Sequence, residues 1–533
     1  MAEAETPSHL GFRERWLTTI LLGIGLILFA INASTTNLIL PQIMTNLRVE
    51  LYQVHWVTTA FGIARTVVIP ALGWLSGRLG PRTLYLVSLG SFSLGTLGSA
   101  LAWDWPSLIA FRILAGAGGG LMNPLSMAIF YQIFPPGQRG MALGFSLLGW
   151  SIGPSIGPLA GGYLMQFSSW RVVYSMLLPF CGLGFLLAWW LLPPLNRPER
   201  RRLDFLGLVS MACAVVPLLL ALTRGRREGW DSPAVLTMLI IAGVFTIVFI
   251  VIELRHAQPL VELRLLRYMP FVMAVLVMFL STVAFRSTGP MKPVFMQRVL
   301  GFEPLLVAWV MLPSNILYGV AVMMAGRLAD KLSPEGLVMA GLGLYAAVFV
   351  AYAGINELAT AAMMATFIAI RQLAQGVIGA PNNLTALRAL PEDQVMMAAG
   401  LLGVLRSIAA ALGTSMAGVF WDGRFARHLN HYAENAPGDG LGVMAAFETV
   451  HQSLVWAGEI AATIPVKTTA LIQRQWVAHA STAAWQDYFW ANAVLALLSL
   501  IPAFLVKRSL WQRVRPRTEE TPNVESEKAA AET

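Results

Sequence analysis

Long apolar segments alternate with short polar ones along nearly the whole chain. Each apolar segment has about 20 residues, the length that an α-helix needs to cross the hydrocarbon core of a bilayer. The apolar residues do not show the period-two alternation that marks the strands of a membrane barrel. The pattern predicts an all-α polytopic membrane protein with about fourteen transmembrane helices. We expect these helices at 17–41, 54–74, 83–102, 107–132, 141–164, 171–193, 205–223, 233–253, 271–291, 304–326, 337–355, 359–387, 397–421 and 487–506.

The composition agrees with a chain that exposes little surface to water. Of its 533 residues, 56% are hydrophobic and 12% are charged, whereas a soluble domain has about 25% charged residues. The net charge of +9 comes from Lys and Arg gathered in short loops on one predicted face, so it indicates membrane orientation rather than nucleic-acid binding. An even number of helices with that bias places both termini in the cytoplasm. A bacterial inner membrane is the expected location.

Two pairs of matching segments indicate an internal repeat. GWLSGRLGPR (73–82) matches GRLADKLSPEG (326–336), and FRILAGAGGGLMNP (111–124) matches IRQLAQGVIGAPNN (370–383). The pairs occur in the same order, which favours a duplicated six-helix unit, and such halves are typical of transporters with a site at the midplane. We therefore expect an N-terminal cytoplasmic segment at 1–16, a six-helix bundle at 17–193, a linker with a two-helix insert at 194–270, a second six-helix bundle at 271–506 and a disordered cytoplasmic tail at 507–533.

One long polar segment, roughly 422–486, interrupts the second predicted bundle on its outer face. Its spaced apolar residues predict amphipathic helices. These helices would form a lid on the bilayer surface or, as the less favoured interpretation, dock an extracytoplasmic adaptor protein. HLNHYAE (428–434) contains two histidines and an acid, but it offers too few ligands for a metal site. We found no motif that indicates a cofactor.

These segments resemble the major facilitator superfamily, and in particular its fourteen-span drug:proton antiporter branch. The segment at 73–82 is similar to the family's loop motif between spans two and three, and the segment at 111–124 is similar to its fourth-span arginine motif. GWSIGPSIGPLAGGYL (149–164) resembles the fifth-span motif of antiporters, while REGWDSP (227–233) and MQRVLGFEPLLVAWVMLP (296–313) resemble branch features. The resemblance implies two six-helix bundles around a central cavity, and efflux that is nominally coupled to protons.

The fifth-span motif also has a physical interpretation of its own. A glycine at every fourth position clears one face of the helix, so that another backbone can approach closely. Two prolines remove backbone donors and bend the helix. A static packing seam explains the glycines but not the paired prolines, so we interpret this span as a gate. The predicted gating residues, including those of the two loop motifs, are Gly73, Arg78, Arg82, Gly153, Pro154, Gly157, Pro158, Gly161 and Asp330.

The chain departs from the resembled branch at two acidic positions. INASTTNLILP (31–41) has Asn32 where the branch commonly has an acid, and the first loop motif has Gly77 where the second keeps Asp330. An amide cannot titrate, but it can donate and accept hydrogen bonds. We therefore expect the polar cluster that contains Asn32 to line the cavity and bind substrate without carrying a proton.

Arginines fall inside the predicted spans, whereas Asp and Glu occur only near span ends. A charge inside a span costs at least about 2.5–3.5 kcal/mol, so such residues usually face a cavity. Guanidinium groups without acids suggest a negative or phosphate-bearing substrate, and we expect Arg65 and Arg112 to hold it, whereas Arg406 is a further arginine inside a span. The candidate substrate-binding residues are Asn32, Thr36, Asn37, Arg65, Arg112, Asn123, Arg286, Arg371 and Asn382.

Three functional hypotheses remain open at this point. The leading one is a secondary transporter that exports amphipathic small molecules by alternating access. The second is a lipid or organic-anion carrier without a first-span proton site, and the third is a transporter-shaped sensor or assembly subunit. The chain lacks the nucleophile and zinc-protease motifs of an enzyme. The candidates for proton coupling are His55, Asp422 and Asp487, all near the outer mouth.

Overall fold

The computed structural model describes residues 11–192, 204–256, 259, 261–391, 394–434, 441–457, 459 and 463–514. Nearly all of this part of the chain is helical, and no β-strand occurs within it. The predicted all-α class is therefore confirmed. The helices are α1 Phe12–Leu47, α2 Trp56–Leu79, α3 Pro81–Leu101, α4 Trp105–Ile133, α5 Arg139–Phe167, α6 Trp170–Leu191, α7 Phe205–Glu228, α8 Pro233–Arg255, α9 Met269–Arg298, α10 Pro304–Lys331, α11 Pro334–Ala353, α12 Ala361–Arg388, α13 Val395–Glu434, α14 Leu441–Trp456 and α15 Ile464–Val514.

The number of membrane-spanning helices agrees with the prediction of about fourteen. Within the described residues, 13 helices are long and apolar enough to cross a membrane. The helix α5 is not among them, because its glycines and prolines lower its hydropathy. It is nevertheless 29 residues long and packs lengthwise on α1 and on α10, so we count it as a further span.

The packing of the helices follows the predicted repeat. The helices α1 to α6 pack on one another, and α9 to α13 form a second group together with α15. The helices α7 and α8 pair with each other, and α7 contacts both groups through α2 and α13. Aromatic side chains fill the core of the second group, where the ring of Phe295 stacks on Trp485 with centroids 4.0 Å apart. We call the two groups the first and second bundles.

The two bundles contact each other near the face of the membrane at which α1 begins, which we call the inner face. Gly140 of α5 lies directly against Gly326 of α10. The Asp330 carboxylate accepts hydrogen bonds from the backbone N–H groups of Gly140 and Met141, at 2.7 and 2.9 Å. At the repeat-related position of the same face, Gly73 of α2 lies against Met397 of α13. The bundles are therefore held together at the inner face.

The outer segment at 422–486 contains helices, as predicted, but most of it continues the two neighbouring spans. The helix α13 has 40 residues and continues to Glu434, and α15 has 51 residues and already begins at Ile464. Both helices are about twice as long as a membrane span requires. The reason is that hydropathy marks where a helix leaves the bilayer, but it does not mark where the helix ends. Residues 435–440 lie outside the described ranges.

The chain ends also differ in part from the expectation. The helix α1 begins at Phe12, inside the predicted N-terminal segment, and α15 continues to Val514, into the predicted tail. Residues 1–10, 193–203 and 515–533, which include most of the predicted tail and part of the linker, lie outside the described ranges.

Candidate functional site

A buried polar contact joins three helices of the first bundle. Arg112 of α4 donates from Nη1 to the Asn32 amide oxygen of α1 at 2.9 Å, and from Nε to the Val57 carbonyl of α2 at 3.3 Å. Its guanidinium also lies over the Phe61 ring, 4.3 Å from the centroid. Arg112 is 1% exposed and Asn32 is 0% exposed. In this conformation the two side chains therefore hold one another inside the bundle.

The second bundle has an equivalent contact at the repeat-related position. Arg371 of α12 donates from Nη1 to the Thr288 hydroxyl of α9 at 2.8 Å, and its guanidinium lies 4.5 Å from the centroid of the Phe285 ring. Arg371 is buried as well. Because each arginine reaches the first helix of its own bundle, the correspondence of Arg112 with Arg371 that the motifs predict also holds in three dimensions.

A different group of arginines lies between the bundles. Arg65 of α2 interacts electrostatically with Arg286 of α9 and Arg406 of α13, and the last two interact with each other and with Tyr318 of α10. Arg406 donates from Nη2 to the Asn383 amide oxygen at 2.7 Å. We call Arg65, Arg286, Arg406 and Tyr318 the interface cluster. Because Arg286 is exposed although its neighbours come from both bundles, the cluster borders an accessible space between them.

The polar residues of the first helix are mostly turned inward. Thr36 is buried and donates to the Asn32 carbonyl at 2.7 Å, whereas Asn37 is exposed. Ser34 donates to the Gly153 carbonyl of α5 at 3.0 Å. In this conformation Asn32 and Thr36 do not lie on an open surface. The role in substrate binding that the sequence suggests for them stays a prediction.

The remaining two candidate amides occupy repeat-related helices. Asn382 of α12 is buried and donates to the Ala274 carbonyl at 3.0 Å, while Asn123 of α4 is half-buried. The structure thus gives Asn382 a partner in the first helix of its own bundle. Their predicted contact with substrate is untested.

The glycine face of α5 packs on α1. A Cβ atom at Gly153 would lie 2.8 Å from the Ile31 nitrogen, and one at Gly157 would contact the Ser34 hydroxyl. At Gly161 it would lie 3.3 Å from Cγ2 of Thr35. A bulky residue on this face would therefore push α1 away from α5, and the role of the span as a gate stays a prediction. The face lies within the first bundle, and other positions of α5, such as Gly140, contact the second. The side chains of Pro154 and Pro158 lie outside the described part.

The loop motifs at the inner face make unlike contacts. Asp330 of the second motif contacts the first bundle, as described above, at the N-terminus of α5. In the first motif, Arg82 donates to the Trp189 carbonyl at 2.6 Å, and Arg78 lies 5.4 Å from the centroid of the Trp74 ring. Both partners belong to the same bundle as the arginines. The second motif thus contacts the opposite bundle through a carboxylate. The first motif has Gly77 in place of the acid, and it contacts the opposite bundle through the apolar contact of Gly73 with Met397.

The predicted proton-coupling residues all lie near the outer ends of the predicted spans, although α13 and α15 continue well beyond Asp422 and Asp487. His55 is exposed just before α2, and Asp422 is exposed on α13. Asp487 of α15 lies 2.8 Å from His428 Nε2 and 3.4 Å from Arg424 Nη1. These contacts join α13 to α15 outside the region of the interface cluster. Within the described residues, no group of three or more His, Cys, Asp or Glu side chains is placed to hold a metal ion.

Two residues near the arginines were missed by the reasoning from sequence. Lys292 is 2% exposed and lies within the electrostatic range of Arg371. It escaped notice because the predicted span ended at 291, whereas α9 continues to Arg298. Tyr318 was missed because a tyrosine in a span gives no charge signal. Only the fold brings it to Arg286 and Arg406.

Two helical bundles with a charged interface between them define a membrane carrier. The family model of the Major Facilitator Superfamily matches residues 22–414, which is most of the chain, and the protein belongs to this family. The multidrug export protein EmrB of Escherichia coli K12 is 28% identical over 428 residues, covering 79% of this chain and 82% of EmrB. The lincomycin resistance protein LmrB of Bacillus subtilis is 26% identical, covering 89% of this chain and 91% of LmrB.

A solved structure shows the same fold. The human organic anion transporter MFSD10 superposes with a TM-score of 0.58 at 16% identity, covering 93% of this chain and all of MFSD10. At this identity the likeness concerns the fold alone. The family that the motifs predict is therefore confirmed, and the protein is a multi-pass membrane transporter whose relatives include multidrug efflux proteins.

Proposed function

We propose that the protein exports amphipathic small molecules by alternating access. The observation that carries this proposal is the contact of the bundles at the inner face, together with an interface cluster that borders an accessible space between them. A carrier needs a site that both bundles share and contacts on one side that can open. EmrB is a multidrug export protein and LmrB is a lincomycin resistance protein, which supports export as the direction and small organic molecules as the cargo.

The contact between Asp330 and α5 has the properties of a lock that opens. A carboxylate at the N-terminus of a helix is stabilised by the helix dipole and by unpaired N–H groups. Both of the N–H groups that Asp330 accepts from belong to the first two turns of α5. Opening of the inner face exchanges these bonds for bonds with water. The carrier therefore can close and open this end without breaking a covalent or metal link.

Proton coupling by family resemblance needs another route in this chain. The amide of Asn32 cannot titrate, and it is bonded to Arg112. The three candidates for proton transfer lie near the outer ends of the predicted spans, which is a poor place for a group that must also reach the cytoplasm. We propose that coupling is indirect, or that the cargo itself carries the proton or the charge.

We propose that α14 and the outer ends of α13 and α15 form a lid at the bilayer surface. Trp456 at the end of α14 is 88% exposed, and Val466 at the start of α15 is 73% exposed. An apolar surface of this kind is covered by lipid or by a protein, and an extracytoplasmic adaptor is the second interpretation. Lipid, a small-molecule substrate and such an adaptor are the partners that we expect.

The orientation in the membrane is also a proposal, with both termini in the cytoplasm. Ser232, between α7 and α8, and Ser333, between α10 and α11, lie on opposite faces in this topology. We expect Ser232→Cys, in a variant that lacks Cys181 and Cys213, to react with an impermeant maleimide added outside cells. Ser333→Cys should react only after lysis. Reaction of both from the same side contradicts the topology.

Transport by the purified protein tests the proposed function. Proteoliposomes should take up or release a fluorescent amphiphile in a manner that saturates with concentration and depends on the protein. A sensor or assembly subunit would bind ligand but would produce no flux. The pH dependence of the flux then separates proton-driven export from a carrier that is coupled by the charge of its cargo. Absence of flux for every amphiphile that binds contradicts the proposal.

A further inference from the structure

Three positive charges meet between the bundles. The charge of Arg65 interacts with those of Arg286 and Arg406, and these two interact with each other. Like charges repel more strongly at a protein interior than in water, because the effective dielectric constant is lower. In the described part of the chain, Arg286 and Arg406 form no ion pair with a carboxylate. An anion placed between the bundles would therefore relieve the repulsion.

The cluster is held in place and is accessible. One donor of Arg406 is bonded to Asn383 at 2.7 Å, and this contact fixes the orientation of the planar guanidinium. Tyr318 stacks on Phe285, with ring centroids 6.4 Å apart. The side chain of Arg286 is exposed, so a ligand can reach it. The site thus combines fixed donors with an open side.

We propose that the interface cluster binds the anionic headgroup of an amphipathic substrate, a carboxylate, sulfonate or phosphate. This rests on the proposed function, because it names the substrate class of the same site. Guanidinium forks match the oxygens of such groups and form charge-assisted hydrogen bonds with them. Since Arg65 belongs to the first bundle and Arg286 and Arg406 to the second, the headgroup draws the bundles together around itself.

The proposal assigns the arginines differently from the expectation drawn from sequence. Arg112 was expected to hold the anion together with Arg65. The guanidinium of Arg112 already donates to neutral oxygens within the first bundle, and its side chain is 1% exposed. The headgroup is therefore bound by Arg65, Arg286 and Arg406, and Arg112 positions helices.

Calorimetric titration of the full-length protein in phosphatidylcholine nanodiscs tests the headgroup. Octanesulfonate and octyltrimethylammonium carry the same alkyl tail and opposite charges. We expect the sulfonate to bind at least about tenfold more tightly than the ammonium, and Arg286→Gln to weaken sulfonate binding by about tenfold or more. Arg65→Gln and Arg406→Gln should act in the same direction, and Arg286→Lys should be intermediate, because Lys lacks the fork.

Arg298→Gln is the matched control. Arg298 is exposed at the outer end of the same helix as Arg286, and its replacement should leave the affinity unchanged. If a Gln variant of Arg406 fails to fold, Arg286→Gln decides, because within the described chain Arg286 forms no hydrogen bond that folding requires. Equal affinity for the two probes, or sulfonate binding that none of the three Gln variants weakens, overturns the proposal.

Two further arms identify the source of the anion and separate the two proposals. Weaker sulfonate binding in phosphatidylglycerol nanodiscs would show that a lipid headgroup competes, and unchanged binding would show a site for free amphiphiles. Both results support an anion site. Sulfonate binding without flux in proteoliposomes sustains the site and contradicts export. Flux of the ammonium probe but not of the sulfonate sustains export and overturns the anion site.

Discussion

Arg112 and Arg371 lie inside the bundles, whereas Arg65, Arg286 and Arg406 lie between them. The two arginines inside the bundles donate to neutral oxygens of neighbouring helices at 2.9 and 2.8 Å. The three interfacial arginines interact with one another through their charges, and Arg286 and Arg406 also interact with Tyr318. Arginine therefore occurs in two environments in this protein: hydrogen-bonded within a bundle, and beside other arginines between the bundles.

The difference in environment predicts a different role for each of the two groups of arginines. Inside a bundle, a guanidinium that donates several hydrogen bonds fastens helices together, and its removal leaves acceptors without partners. At the interface, a guanidinium beside other guanidinium groups is poised for an external anion. Removing one of those lowers repulsion within the protein and lowers affinity for the ligand. Stability and binding should thus respond in opposite ways in the two regions.

The largest effect is expected from a bulky side chain on the glycine face of α5 that packs on α1. A Cβ atom at Gly157 already meets the Ser34 hydroxyl and lies 3.1 Å from Cγ2 of Thr35. Gly157→Leu should abolish transport, because the side chain pushes α1 away from α5. Flux is measured on protein that is purified in normal yield. The control is Gly162→Leu, where a Cβ atom would make only an ordinary contact with Leu38 at 3.7 Å. Transport at the wild-type rate by Gly157→Leu would remove α5 from the gating mechanism.

Loss of an arginine inside a bundle should cost stability. Arg112→Leu leaves the buried Asn32 amide oxygen without its donor, and the Val57 carbonyl loses a second donor in addition to its bond within the helix. We expect the free energy of unfolding to fall by about 1–3 kcal/mol, chiefly for the unpaired amide oxygen. Thermal unfolding in nanodiscs measures this, with Arg298→Gln as the exposed control. A variant as stable as the wild type would show that Arg112 does not fasten the helices.

A variant of Asn32, which accepts a hydrogen bond from Arg112, sharpens the comparison. From the sequence we expected Asn32 to contact substrate, and Asn32→Ala would then lower affinity. With Asn32 buried against Arg112, we expect instead a loss of about 1–3 kcal/mol of stability, because a buried donor loses its acceptor. Sulfonate affinity and the pH profile of transport should not change. A fall in affinity with an unchanged unfolding midpoint would restore the original interpretation.

The smallest effect concerns the inner face, where the two halves use unlike contacts. Asp330→Asn keeps the shape of the side chain, but it replaces an acceptor of two N–H groups by an amide that accepts fewer of them. We expect the inner face to open more often, with a loss of about 1 kcal/mol in its closed population. Labelling of Met141→Cys by a maleimide reports the opening, and Glu335→Gln serves as the control. Unchanged labelling would leave the apolar contact of Gly73 with Met397 as the main lock.

Much of the fold follows from the order of residues, while the site follows only in part. Apolar runs of spanning length placed the helices, and the repeated motifs paired Arg112 with Arg371. The contact of Arg112 with Asn32 was not predictable, because the residues are 80 positions apart and the contact depends on how α1 and α4 are rotated.

The interface cluster was hidden for the same reason. Arg65, Arg286 and Arg406 were recognised as charges inside spans, but nothing in their spacing shows that they meet. The meeting depends on how α2, α9 and α13 face one another across two bundles. Helices were predicted at 422–486, but their continuity with α13 and α15 was missed because polar residues mark the end of a membrane span and not the end of a helix.

The unfolding midpoint of Arg286→Gln, with and without octanesulfonate, tests the central claim most directly. The claim is that the arginines between the bundles bind an anion, while the arginines inside the bundles stabilise helix packing. The account predicts that Arg286→Gln without ligand unfolds at the wild-type temperature or above it, and that octanesulfonate, which stabilises the wild type by binding the folded state, no longer raises its midpoint. A lower midpoint without ligand, together with an undiminished response to octanesulfonate, would contradict the account.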